Sequence, residues 1–296
     1  MRPCLALLLA IAASSAPSLA QTPPSTTEQA PIVVEGRRDR DAEIRELVNS
    51  LPPAPVDGHI SRFEHDACPA VLGLPAPQRA YAVQRMRAVA RAGGVPLADP
   101  GCRPNVMVMV TPDKGRLIEL LARNFPSYLH ALSRRQIARL ERSPEPTALW
   151  HLNNMVDADG LPVSVNLDNI YMVSATRDPS RITDAAHMAF VGSVLIVELR
   201  ALAGLSTTQF ADYAAMRTFT GADPARLPDR RISTILTLVD APIGSEIPLT
   251  LTSWDLAFLE SLYGSNVNRD APSQRDEIRE AMSRRLEPAD ERGRAR

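Results

Sequence analysis

Cys68 and Cys102 are the two cysteines that remain once Cys4, inside an apolar leader, is set aside. In an oxidising compartment such a pair suggests one disulfide, with two separate free thiols as the alternative. Closing a loop of that length stabilises a domain by about 3.5 to 4 kcal/mol on the chain-entropy model. Neither cysteine lies in a C-x-x-C pair or a catalytic-cysteine signature. His59, Glu64, His65 and Asp66 are metal-ligating types close in sequence, but neighbours in a strand point to opposite faces, so only alternate members could share an ion. His151 and His187 stand alone and read as surface or satisfied core histidines. Ser193 and Ser206 lack the glycine pattern of a nucleophile elbow and a partnered histidine. Trp150, Trp254 and Tyr263 read as core or interface aromatics. No catalytic residue, metal ligand set or cofactor motif is assembled from these positions.

Residues 185–203 form an apolar stretch with Glu198 and Arg200 as its late charges, stopped by Gly204. Its second half at least reads as a buried helix. Glu198 in such a helix is unusual: it pairs with Arg200 at the helix end or faces a polar pocket. Laid against the pattern HExxHxxGL, Glu198, Gly204 and Leu205 fall in register. In that pattern two histidines one turn apart hold zinc, and the glutamate acts as general base on the metal-bound water. Here the ligand positions are Val197 and Ala201, and a third would be Thr207, so no zinc is held that way.

Three further marks accompany this stretch: Arg62-Phe63 with Cys68-Pro69, Cys102 with Pro104-Asn105, and Gly204-Leu205 followed by Ala211-Asp212-Tyr213. On these marks the chain resembles a family of exported alphaproteobacterial proteins. More distantly, it resembles zincin-like domains of the metalloprotease fold, over roughly residues 60–263. The resemblance implies a zincin-like fold and no activity. An unrelated α+β domain whose helix matches by chance is the alternative.

The elements that would position these residues are set by periodicity. Ile44, Leu47, Val48 and Leu51 fall at i, i+3, i+4 and i+7, an amphipathic helix ended by Pro52-Pro53. Residues 59–63 look like a strand before a Cys68-Pro69 turn, and 78–92 a helix stopped by Gly93-Gly94. Residues 105–110 are a near-continuous apolar run, a buried strand. Helices are predicted over 114–124 and 132–140, an irregular stretch over 144–159, and strand-like alternation over 163–174. Ser206 with Gln209 is a capping box opening a helix through Thr218. A strand is predicted over 232–239, a second box at Thr252 and Asp255 opens a helix over 254–263, and a charged amphipathic helix covers 273–286. This order predicts an α+β single domain, a small mixed sheet packed by helices.

Organisation and charge bound the function. Residues 1–20 read as a cleavable signal peptide, with Arg2 as n-region, an apolar run of about half the roughly 20 residues a membrane span needs, and Ser18-Leu19-Ala20 as cleavage site. A flexible tether covers 21–55, the globular domain 56–270, and a charged helix with a disordered tail 271–296. Within the tether, Ile32-Val33-Val34-Glu35-Gly36-Arg37-Arg38 resembles a TonB box, which would pair by β-augmentation with a partner's sheet edge; an ordinary strand or linker is the alternative. The whole chain carries 33 basic and 34 acidic residues, a near-balance that argues against a nucleic-acid partner. The expectation is a periplasmic or secreted, non-catalytic envelope protein, a metal-free zincin-like domain binding a protein or peptide. A hydrolase acting on envelope material is the alternative.

Overall fold

The computed structural model describes residues 37–52, 58–157, 159–165, 171–172, 186–227, 232–242 and 244–287. The proposed signal peptide, the TonB-box-like Ile32, Val33 and Val34, and the tail beyond residue 287 lie outside them. The described residues form one compact unit. Among the described residues it contains seven helices and a four-stranded mixed sheet, an α+β domain.

The sheet is built from β1 (Pro69–Leu72), β2 (Val106–Thr111), β3 (Thr147–Asp157) and β6 (Ala186–Glu198), in the order β1-β2-β6-β3. β1, β2 and β6 are parallel, whereas β3 runs antiparallel to β6. A separate two-stranded ladder joins β4 (Ser164–Val165) and β5 (Tyr171–Met172), the pieces of the alternating 163–174 stretch. Helices cover both faces. Val106, Val108, Val110, Leu195 and Val197 turn to a core shared with α1 (Arg37–Asn49), α2 (Ala76–Ala92), α5 (Thr207–Thr220), α6 (Ser253–Gly264) and α7 (Ala271–Leu286). Met107, Met109, Val194 and Ile196 turn to a second core with α3 (Lys114–Asn124), beside α4 (Arg134–Arg142). Because both faces are buried, β2 and the end of β6 are apolar at successive positions rather than alternating.

That double burial corrects the helix expected within 185–203. The stretch is a thirteen-residue strand, followed by a 3-10 turn at Leu199–Leu202, and no α-helix runs through Val197, Glu198 and Ala201. Periodicity does not separate an apolar strand buried on both faces from a buried helix, and the β-branched Val194, Ile196 and Val197 fit the pleated surface. Two ligand positions one helical turn apart therefore do not exist here, and the segment that carried the likeness to zincins lacks its helix.

Other boundaries shift for physical reasons. Residues 144–159, predicted irregular, contain the eleven-residue β3, whose Ala148, Trp150 and Val156 are buried although exposed Asn153 and Asn154 break the apolar pattern. Residues 59–63 make only a single bridge, Phe63 to Phe190. Pro69 opens β1 rather than closing a turn. Residues 232–239 hold a 3-10 turn at Ile235–Thr237, because Thr234 caps it and Asp255 accepts the Ile235 N–H at 3.0 Å. The domain also extends past the expected limits of 56 and 270. Leu47 and Val48 of α1 are fully buried, as are Ile278 and Met282 of α7.

Cys68 and Cys102 are disulfide-bonded, with Cα atoms 6.1 Å apart and a sequence separation of 34. The bridge joins the start of β1 to the turn before β2, across α2. Replacing both cysteines by serine is expected to lower the free energy of unfolding by about 3.5 to 4 kcal/mol. Urea denaturation with an unchanged midpoint, or two titratable thiols in the denatured wild type, would refute this.

Candidate functional site

The disulfide helps to shape a groove beside β1. Cys68 O accepts the N–H groups of Asn105 and Val106, both at 3.1 Å, and the Cys68 N–H donates to Asn105 Oδ1 at 2.6 Å. Even-numbered residues of this strand thus turn their backbone toward β2, and odd-numbered ones turn it outward. Ala67 spends its outward groups on the segment after α2: its N–H donates to Pro96 O at 2.9 Å, and its carbonyl accepts from Ala98 N–H at 3.2 Å. Farther along, β1 is the sheet's edge, and the outward groups of Pro69 and Val71 face no strand among the described residues.

Between that edge and one stripe of α2 runs a groove of about 840 Å³. The apolar face of α2, with Ala82, Met86, Val89 and Ala90, is buried in the core, which leaves the adjoining stripe to line the groove. Arg79, Arg87 and Arg91 lie on this stripe with Val83 between them, and no lining residue is acidic. Arg87 is held in place by donating to Ala98 O at 2.5 Å. The disulfide and the turn through Pro100 and Gly101 contribute to the same lining. At the other end of β1, Gly73 has φ of +82°, and a Cβ there would sit 1.9 Å from Val110 O, so the chain turns away from β2 only with glycine. The arrangement offers an apolar wall and positive charge beside the edge of the sheet.

The residues singled out from sequence are dispersed. Val197 is fully buried in the sheet. Glu198 accepts from Arg200 Nε at 2.6 Å and from the Lys114 backbone N–H at 3.1 Å, so it anchors the N-terminus of α3, where a negative charge is favoured. Ala201 sits in the 3-10 turn and Gly204 comes after it at positive φ. Lys114 is itself buried, its Nζ donating to Ser143 O at 2.9 Å, and that burial pushes its pKa down. Ser206 and Gln209 form the predicted capping box, and so do Thr252 and Asp255. Ser193 is buried with its hydroxyl unpaired among the described residues. Trp150 donates to Tyr128 O at 2.6 Å, and Tyr263 to Phe219 O at 2.8 Å.

Of the four sequence-adjacent ligand types, Glu64 pairs outside the group, with His187 Nε2 at 2.7 Å. His59 lies against that pair, its ring centroid 5.6 Å from that of His187. Both histidines are 2% exposed, and the trio lines neither the groove nor the smaller cavity beside β3. It locks the extended segment before β1 to the start of β6. Among the described residues no three histidine, cysteine, aspartate or glutamate side chains converge in a way that would hold a metal. The three groove arginines were not singled out from sequence. Their signal is a helix whose 82, 86, 89 and 90 positions are apolar while 79, 87 and 91 carry like charge. The edge beside them is a tertiary fact.

No protein-family model matches this chain, and no curated protein or solved structure is significantly similar to it. A functional reading of the protein therefore rests on the groove's own geometry.

His151 on β3 stacks on Phe190 at 3.9 Å, and its Nε2 donates to Thr218 O at 2.9 Å. Burial lowers its pKa to about 4, from an ordinary value of 6.5. The unfolded chain thus takes up the proton first, so this contribution to stability is complete above pH 6.5 and is lost as the pH falls toward 4. His151→Gln is expected to flatten the loss of stability between those limits by on the order of 1 to 3 kcal/mol relative to wild type. Parallel unfolding curves for the two proteins across that range would show the expectation to be wrong.

Proposed function

We propose that this protein is a non-catalytic binding domain of the cell envelope, exported by its N-terminal signal, that takes an extended acidic peptide into the groove between β1 and α2. The observation that supports this reading is the groove beside β1, the sheet's edge among the described residues, with three arginines and no acidic residue in its lining. A peptide in that groove would lie beside the edge, against half-buried Ala70 and exposed Leu72. Val83 and the disulfide offer the apolar contact, while Arg79 and Arg91, both exposed, select for carboxylates.

The disulfide is compatible with a periplasmic or secreted location. Among the described residues no helix is long and apolar enough to cross a membrane. A zincin-like architecture is not part of this reading, since residues 186–198 are a strand. The hydrolase alternative would need an acid–base pair facing a cavity, and the His187–Glu64 pair is buried instead.

The test uses two fluorescent octapeptides, one alternating glutamate and valine, the other alternating lysine and valine. The acidic peptide is expected to bind, more weakly as salt rises, and to lose roughly fivefold or more in affinity to the Arg79→Glu, Arg91→Glu double variant. Equal binding of the lysine peptide, or no binding of either, would refute the proposal.

A further inference from the structure

The α2 side of the groove has a period of its own. Arg79, Val83, Arg87 and Arg91 all line it, each four positions after the last, so they form one ridge along the helix. The twelve positions from Arg79 to Arg91 rise about 18 Å, at about 1.5 Å each. Rows of this kind run at about 26° to the helix axis, which lengthens the ridge to roughly 20 Å and sets its members about 6.7 Å apart. An extended chain advances about 3.3 Å per residue and turns successive side chains to opposite sides, so residues on one side recur about every 6.6 Å. The two periods coincide. A peptide lying along the groove therefore meets the four ridge members with its alternate residues, and roughly seven residues reach from Arg79 to Arg91.

The ridge is not uniform. Arg79 and Arg91 are exposed, Arg87 is half-buried with its Nη2 donating to Ala98 O at 2.5 Å, and half-buried Val83 interrupts the charge. A guanidinium carries several N–H donors, so Arg87 keeps others for a ligand. The opposite wall, with Ala70, Leu72 and the disulfide, holds no charged residue. A carboxylate on the ridge side of the peptide thus meets an arginine, and one on the far side does not.

We propose that the groove selects its ligand by register: an extended peptide of the pattern acidic-x-apolar-x-acidic-x-acidic, with its acidic residues on Arg79, Arg87 and Arg91 and its apolar residue on Val83. This rests on the acidic-peptide reading above and adds to it the spacing of the charges. The ridge sets the order of the contacts and not the polarity of the peptide chain, so the pattern and its reversal are both candidates.

The test titrates the purified protein with fluorescent heptapeptides capped at both ends. Two are Glu-Ser-Val-Ser-Glu-Ser-Glu and its reversal; the third, Glu-Glu-Val-Ser-Ser-Glu-Ser, has the same composition with two glutamates moved to the other side. The tighter of the first two is expected to bind roughly threefold to tenfold better than the third, the range for two exposed ion pairs. In that peptide, glutamine in place of the glutamate farthest from the valine is expected to weaken binding to wild type, and to change affinity by less than about twofold in the Arg91→Gln variant. Arg91 is exposed, so this variant keeps its fold. Equal binding of the third peptide, or an undiminished loss in Arg91→Gln, would overturn the register while leaving the acidic-peptide reading in place. Absence of binding by all three would overturn that reading, and the register with it.

Discussion

Parallel pairing of β2 with β6 organises the whole molecule. Val106 to Thr111 lie in register with Ser193 to Glu198, and both segments are central in the sheet, so neither face can be left to water. Parallel strands cannot be joined by a tight turn, and each connection must cross over the sheet. α2 makes the crossover from β1 to β2; the long excursion through α3, α4 and β3 lies between β2 and β6. The two cores are the consequence. One gathers α1, α2, α5, α6 and α7 against Phe190, Leu195 and Val197 of β6, and the other sets α3 against Val194 and Ile196.

Where β1 meets β2 a second constraint acts. Asn105 ties three pieces of chain together: its Oδ1 accepts from Cys68 N–H at 2.6 Å, and its Nδ2 donates to Asp66 O at 3.2 Å and Val191 O at 3.3 Å. The disulfide fixes the same corner covalently. Inside the domain, the Asp212 carboxylate does comparable work between helices. It takes both Nε and Nη2 of Arg85, at 2.6 and 3.0 Å, and also Thr250 and the Leu251 N–H. Such a two-pronged pair orients α2 against α5 more firmly than apolar contact alone. With its inner stripe so held, α2 presents its arginine stripe to the open edge of β1. The binding reading thus rests on one rigid helix beside one short strand.

Polar residues that looked chemical have structural work. Glu198 holds the start of α3, and His187 with Glu64 pins the approach to β1. Asp255, at which burial raises the pKa while its hydrogen bonds act the other way, organises the 3-10 turn through Thr234 and Ile235. Each is satisfied by backbone N–H groups, by side-chain partners or by both, which is how buried polar groups are ordinarily accommodated. Arg217 departs from that pattern: its buried Nε makes no hydrogen bond among the described residues.

Local chemistry legible in the residues themselves fixed much of this. The capping boxes at Ser206 and Thr252, the helix over Lys114–Asn124, the apolar stripe of Ile44, Leu47 and Val48, and the buried strand near Val106 all depend on neighbours within a few positions, so the sequence determines them. The pairing of Cys68 with Cys102 was legible too, since placing Cys4 in a leader removes the only competitor. Tertiary structure alone decided whether the apolar run ending at Glu198 would be helix or strand, because a segment buried all round carries no periodicity, and its form depends on whether β2 and β3 lie alongside. The same holds for β3, whose polar middle hides its strand character until β6 supplies a partner. It holds equally for both cavities: Arg79 and Arg91 acquire an edge strand, and Arg217 comes to line a cavity beside β3, only when elements distant in sequence are brought together.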